Sequence, residues 1–153
     1  MAGKGKTGKE HFGAYVCVFN RDFSEILLLW REKEEREGIE IKGWGNVGGT
    51  VESGETAVQA CVREAKKETG IALKPDSLVF VGTKKALETS PRKWMIYFYV
   101  VSIDKDTDIR LNHESRGYGW FGKDELPEGT LDTKDDILGW WMLAEKASHT
   151  LHT

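Results

Sequence analysis

The sequence predicts an α/β or α+β domain in which a mixed β-sheet lies between helices. Three observations predict it. Five runs of β-branched, aromatic and aliphatic residues read as strands, and two segments carry helical periodicity with matching end residues. Strands and helices alternate within only 153 residues, with no internal repeat and no convincing linker.

The first ten residues, "MAGKGKTGKE", are rich in Gly and Lys and lack apolar periodicity. They predict a flexible basic tail over residues 1–11, either solvated or touching phosphates. "HFGAYVCVF" (11–19) reads as a strand, "NRDFS" as a turn and "EILLLW" (25–30) as a second, largely buried strand. Together they predict a hairpin. "REKEEREGIEIKG" (31–43) is a mixed charge run and reads as a solvated loop, although Arg31 or Lys33, at the strand's end, could face a phosphate. "WGNVGG" (44–49) reads as a glycine loop leading to a helix over residues 55–69.

Two more strands follow, "SLVFVGTKKAL" (77–87) and "KWMIYFYVVSI" (93–103), separated by a turn, "SPRK", whose Pro91 cannot sit in a central strand. "DKDTDIRLNHESRG" (104–117) is polar and loop-like, and "YGWF" (118–121) is a short strand. In "GKDELPEG", residues 124–126 predict one helical turn before Pro127. "TKDDILGWWMLAEKA" (133–147) is a helix, with Thr133 as cap and Asp135 and Asp136 in the first turn, where acids favour the helix dipole. The expected domain spans 12–148, with a short C-terminal tail at 149–153.

Hydrophobic residues make up 39% and charged residues 31%, the balance of a soluble globular protein. The formal net charge of -3 gives no general pull toward nucleic acid polymers or anionic membranes. An anionic ligand would have to be held by local cations or metal ions. Cys17 and Cys61 lie in apolar-patterned segments without metal-ligand spacing, so buried reduced thiols are expected. No apolar leader region or membrane-length run is present, and a cytoplasmic protein is expected.

The chemistry concentrates in "GGTVESGETAVQACVREAKKETGI" (48–71). On a helix of about 3.6 residues per turn, Ala57, Cys61, Glu64 and Glu68 fall in a stripe roughly 60° wide. Two carboxylates thus share a face with small apolar residues, whereas acids on a solvated helix lie opposite the apolar stripe. They point into a cleft at the core's edge, or else form an ordinary charged helix surface. Carboxylates one turn apart beside a glycine loop suit a hard cation such as Mg²⁺ or Mn²⁺.

Five residues separate Gly49 from Glu55, and seven more precede Arg63-Glu64. This spacing closely resembles the Nudix box, Gly-x5-Glu-x7-Arg-Glu-U-x-Glu-Glu-x-Gly-U, where U is apolar. Gly49, Glu55, Arg63, Glu64, Ala65, Glu68, Gly70 and Ile71 match, and Lys67 departs from a glutamate. The Trp30-Arg31 strand end, "WGNVGG" and "WFGKDELPEG" are also similar to a Nudix domain. The resemblance implies an α/β/α sandwich with a central mixed sheet.

It further implies a divalent-metal-dependent hydrolase, using Mg²⁺ or Mn²⁺, that cleaves a pyrophosphate bond in a nucleoside triphosphate or another nucleoside diphosphate derivative. A nucleoside diphosphate sugar such as ADP-ribose is the alternative substrate, and a non-catalytic nucleotide- or partner-binding domain is the rival class. By position, the resemblance makes Glu68 the metal ligand, with Gly48 joining through its carbonyl. Glu64 is implied as ligand or general base, and Arg63 orients the carboxylates through a bidentate pair with Glu55. Glu52 is either a support for that site or loop decoration. Glu114 resembles a late glutamate used as base or extra ligand, and His113 beside it reads as a loop residue.

Lys67 changes the local charge by two units, so it either touches a phosphate oxygen, swings out, or marks lost hydrolysis. Asp135 and Asp136 resemble in spacing an acidic pair that reads a purine, and they also suit a helix N-terminus. Trp44, Trp94, Trp120, Trp140 and Trp141 offer either a base-stacking face or core packing. The resemblance implies a small nucleotide as the substrate.

Overall fold

In the computed structural model, residues 10–34, 40–87 and 93–151 are described. Seven strands and two helices follow in the order β1 (Glu10–Asn20), β2 (Ile26–Glu34), β3 (Glu40–Gly45), β4 (Val47–Thr50), α1 (Ala57–Thr69), β5 (Val79–Leu87), β6 (Lys93–Ile103), β7 (Ser115–Phe121) and α2 (Lys134–Leu151). The main path through the sheet is β3-β2-β1-β6-β5, with β4 also pairing β1 and β7 also pairing β2. β1 and β6 run parallel from Glu10↔Lys93 to Asn20↔Ile103, and the other pairs are antiparallel. The sheet is therefore mixed, as expected.

Period-2 alternation divides the core. Ala14, Val16, Val18, Leu27 and Leu29 face Ala60, Cys61 and Ala65 of α1. Cys17, Phe19, Ile26 and Leu28 face Ile137, Trp140, Trp141 and Ala144 of α2. One helix thus covers each face of the sheet. This explains the unbroken apolar run in β2, which is buried on both sides. Both cysteines are free and buried.

α1 begins at Ala57, two residues later than the sequence pattern suggests, because Thr56 is its cap. The Thr56 hydroxyl accepts from the Gln59 N–H at 3.0 Å, and the Gln59 side chain accepts from the Thr56 N–H at 2.8 Å. Gly70, left-handed at φ 76°, closes the helix by donating to the Lys66 carbonyl at 2.9 Å. α2 is capped by Thr133, whose hydroxyl accepts from the Asp136 N–H at 3.0 Å.

Three local expectations are corrected. Residues 31–34 and 40–43 of the charge run are strand, not loop: β2 continues to Glu34 and pairs with β3, and residues 35–39 lie outside the described residues. β3 lies at the sheet's edge, where charged residues are tolerated on a strand, and Glu32 opposes Lys42 in register with their side chains 3.9 Å apart. "WGNVGG" is not simply a loop, since residues 47–50 form β4 and pair with β1. α2 continues past 148 to Leu151.

Residues 1–9 of the expected tail and residues 88–92, which include the first three residues of the "SPRK" turn (90–93), lie outside the described residues. The expected helical turn after β7 is a 3-10 turn at Lys123–Glu125. Among the described residues, no helix is long and apolar enough to cross a membrane.

Candidate active site

A cleft of about 610 Å³ opens beside the C-terminal half of α1, a size suited to a nucleotide-sized ligand (roughly 300–1,000 Å³). Its floor is formed by Gly13 and Tyr15 of β1, Ile96 and Phe98 of β6, and Gly48 and Gly49 of β4. Glu64 and Glu68 project into it from α1, and both are buried. The apolar stripe of α1 packs against the sheet, so carboxylates at its margin are carried to the sheet's edge without reaching bulk water.

Each carboxylate is held by an arginine. Arg31 of β2, itself buried, donates from Nη2 to Glu68 Oε1 at 2.9 Å and to the Asn46 carbonyl at 2.6 Å. Arg31 Nη1 donates to Glu68 Oε2 at 3.4 Å, and the Gly48 N–H adds a third contact to the carboxylate, at Oε1, 3.2 Å. Arg63 donates to Glu64 Oε2 at 3.0 Å. It also grips both oxygens of Glu55, at 2.7 and 3.0 Å, and the Thr50 carbonyl at 2.9 Å. These are charge-assisted, partly bidentate bonds, which fix geometry as well as add energy.

Burial, with a contribution from Glu64, pushes the Glu68 carboxyl up to about 7 against the opposing pull of Arg31 and the Gly48 N–H. Burial pulls Arg31 down, but Glu68 outweighs it and its net shift is upward. Glu55 lies below the usual carboxylate range, chiefly through its hydrogen bond from Arg63.

The glycines before α1 are set by close approach. A Cβ on Gly49 would lie 2.6 Å from Glu64 Oε2, and one on Gly48 would lie 2.6 Å from the Tyr15 Cα. No side chain fits either position without displacing the carboxylates or the β1 backbone.

Of the other predicted residues, Lys67 and Glu114 both line the cleft, with Lys67 Nζ 3.8 Å from Glu114 Oε2. Lys67 is half exposed at the rim. Glu52 also lines the cleft, is mostly exposed, and lies 3.8 Å from Arg63. His113 is exposed and does not line the cleft. Arg31 does reach the cleft, but its guanidinium is engaged with Glu68 and Asn46 rather than turned outward to a phosphate. Lys33 lies in β2, and its side chain is not described.

Asp135 and Asp136 do not line the cleft. Asp135 is exposed, and Asp136 accepts from Lys84 Nζ at 2.8 Å; both lie in the first turn of α2. The acid that does enter the cleft at this end is Asp132, immediately ahead of the Thr133 cap. Two backbone bonds carry it there, Trp44 N–H to the Gly129 carbonyl at 2.9 Å and Leu131 N–H to the Trp44 carbonyl at 2.8 Å.

Sequence reasoning missed Asp132 and Asn46, and no local pattern marks either, because their placement depends on that strand-to-loop contact. Of the five tryptophans considered for base stacking, only Trp94 lines the cleft. Trp140 and Trp141 are buried in the α2 core, and Trp44 packs edge-on against Trp30 and Phe121.

Five carboxylates (Glu52, Glu64, Glu68, Glu114 and Asp132) and two cations (Arg31 and Lys67) line the cleft. Its excess negative charge admits a polyphosphate only with cations bound. Among the described residues, no three His, Cys, Asp or Glu groups converge to form a metal cage. All-oxygen donors in ones and twos fit Mg²⁺, which is ordinarily held by one or two carboxylates together with substrate phosphates.

A NUDIX domain family model matches residues 9–142. The chain belongs to the NUDIX family. The dihydroneopterin triphosphate diphosphatase of Escherichia coli K12 is 27% identical over 115 residues, covering 72% of this chain and 73% of the relative. The asymmetrical bis(5'-nucleosyl)-tetraphosphatase of Rattus norvegicus is 34% identical over 104 residues, 66% of each chain. Among solved structures, the MutT NUDIX hydrolase from Burkholderia pseudomallei has a TM-score of 0.68 at 22% identity, covering 86% of this chain and 95% of that one. This last likeness bears on the fold alone. The Nudix relatives are pyrophosphohydrolases, and family membership supports that hydrolase activity for this chain.

Proposed function

We propose that this Nudix hydrolase cleaves a pyrophosphate bond in a nucleoside triphosphate or related nucleoside diphosphate derivative, in the presence of Mg²⁺ or Mn²⁺. The observation that carries this reading is the buried Glu64–Glu68 pair, each carboxylate braced by its own arginine, in a cleft of nucleotide size. The names of the relatives, a triphosphate diphosphatase and a tetraphosphatase, support a phosphoanhydride substrate.

Glu68, with the Gly48 carbonyl, would hold the divalent ion, and Glu64 would be either a further ligand or the general base. Such an ion neutralises phosphate charge and lowers the pKa of a bound water. Arg63 occupies Glu64 Oε2, leaving Oε1 to take the proton of the attacking water. The water oxygen bonds to phosphorus as the bridging P–O bond breaks, and the leaving phosphate departs with the bonding electrons. Glu114, across the cleft, is the alternative base. Lys67 offers an ammonium to a non-bridging phosphate oxygen, and Arg31 positions Glu68.

A panel of nucleoside triphosphates, dinucleoside polyphosphates and nucleoside diphosphate sugars with Mg²⁺ or Mn²⁺, read by released phosphate or pyrophosphate, tests the reading. Metal-dependent turnover that Glu68→Gln abolishes supports it. Full turnover in that variant sinks the site assignment. A second reading, a nucleotide-binding domain without hydrolysis, is favoured by Lys67 pairing with Glu114 where the family pattern has a carboxylate. No turnover, combined with a nucleotide-induced rise in Tm, selects it.

A further inference from the structure

Of the two cations that line the cleft, Arg31 is engaged within the fold and Lys67 is not. Arg31 donates to both oxygens of Glu68 and to the Asn46 carbonyl. Arg63 is likewise bound to Glu55, Glu64 and the Thr50 carbonyl. Lys67 Nζ, in contrast, lies 3.8 Å from Glu114 Oε2, beyond hydrogen-bond distance, on a side chain that is 50% exposed. An ammonium carries three N–H donors and no acceptor. Among the described residues, no acceptor lies within hydrogen-bond distance of Nζ to take any of them.

Backbone contacts hold Glu114 opposite Lys67. The loop before β7 is tied to the end of α1 by the Arg110 N–H, which donates to the Thr69 carbonyl at 2.8 Å. The Glu114 N–H donates to Asn112 Oδ1 at 2.9 Å. Two-ion phosphoryl-transfer sites set their ions about 3.5–4 Å apart, as a clamp on the attacking and leaving oxygens. A second ion beside the Glu64–Glu68 pair would need Glu114 on its outer side, and Lys67 Nζ stands there instead.

The other outlying acids are also occupied. Glu52 lies 3.8 Å from Arg63, and Asp132 accepts from Asn46 Nδ2 at 3.4 Å. Among the described residues, no three acids converge. The carboxylates left to a metal are Glu64 and Glu68, and one or two carboxylates with substrate phosphates are the ordinary holding of one Mg²⁺.

From this arrangement we infer that Lys67 takes the place of a second divalent ion. The cleft holds one divalent ion per chain, and the Lys67 ammonium bridges Glu114 and a non-bridging phosphate oxygen as a built-in cation. Three donors suffice for a carboxylate on one side and a phosphate on the other, both as charge-assisted bonds. An ammonium has one charge and is no Lewis acid, so Lys67 orients and neutralises the phosphates and takes no part in activating water. The inference rests on the hydrolase reading only in taking a polyphosphate as the ligand of the cleft.

Protein-bound Mn²⁺ is counted by equilibrium dialysis and EPR, with and without the methylene-bridged analogue of inorganic triphosphate, which carries no base and is not cleaved. The wild-type chain is expected to bind one Mn²⁺ in both conditions, with an uncoupled EPR signal. Lys67→Glu, which exchanges the cation for a ligand, is expected to take up a second Mn²⁺ and to show a spin-coupled pair. Lys67→Met, which removes the cation and adds no ligand, is expected to keep one Mn²⁺ and to bind the analogue about 10-fold more weakly or worse in calorimetry.

Any wild-type count other than one overturns the inference. So does a Lys67→Glu protein that stays at one ion, or a Lys67→Met protein with unchanged affinity for the analogue. The wild-type count and Lys67→Met decide the matter should Lys67→Glu fold poorly. Counts and affinities as expected, with no turnover of any nucleotide, leave the inference intact and overturn the hydrolase reading instead.

Discussion

Arg31 and Glu68, 37 residues apart in sequence, form a buried ion pair at 2.9 Å, with side-chain exposures of 6% and 2%. The pair joins β2 to the last turn of α1 across the floor of the cleft. Removing one partner of such a pair leaves a charge without compensation, at a cost of about 3–5 kcal/mol. Arg31→Met is therefore expected to lose about 3 kcal/mol of stability in urea unfolding at alkaline pH, where Glu68 is ionised, and less at acid pH, where Glu68 takes up a proton. Combining it with Glu68→Gln is expected to recover much of that loss, because the stranded charge is gone. Additive losses in the double variant would argue that the pair is not the source.

Lys67 sits half exposed at the rim, 3.8 Å from Glu114. Lys67→Glu adds a third carboxylate beside Glu64 and Glu68, so metal-dependent turnover is expected to rise and Mn²⁺ to bind more tightly by calorimetry. Stability is expected to change by less than about 0.5 kcal/mol, as for an exposed site. Unchanged activity and metal affinity would mean that Lys67 plays no part in the chemistry.

The Gly49 backbone packs directly against the Glu64 carboxylate. A methyl group there would meet Glu64 Oε2 at 2.6 Å, so Gly49→Ala is expected to displace the carboxylate and cut kcat by about 10-fold or more. The KM for nucleotide should move less, since neither the Asp132 end nor Lys67 is touched. A KM increase with kcat intact would place the effect in binding instead.

The Lys84–Asp136 pair gives a pH signature. The hydrogen bond from Lys84 lowers the Asp136 carboxyl below 3.8, so its stabilisation is full above the unfolded value and is lost as pH falls through the folded one. Lys84 shifts upward through the same bond, so its contribution is full below 10.5 and is lost as pH rises through the folded value. Both groups are more than a third exposed, which limits the effect to under about 1 kcal/mol. Asp136→Asn is expected to lower Tm at pH 7 and to match the parent protein near the acid end. A constant gap across pH would assign the loss to the helix terminus rather than to the ion pair.

The sequence by itself determined the local and periodic features. Alternating apolar positions in β1 and the unbroken run in β2 specify strands between two covering layers, because side-chain period and burial are properties of the segment. The spacing from Gly49 through Glu55 and Arg63 to Glu68 is likewise local. One loop and one helix carry it, and helical geometry alone puts Glu64 and Glu68 on one face.

Tertiary structure decided what depends on partners distant in the chain. The charge run at 31–43 holds strands because it lies at a sheet edge, which its composition does not reveal. Arg31 bonds to a helix residue instead of facing a phosphate because β2 passes beneath the end of α1. Asp132, rather than Asp135 or Asp136, enters the cleft because the backbone of 129–131 is bonded to Trp44. In each case the deciding free energy comes from burial and hydrogen bonds between segments that meet only after the sheet has formed.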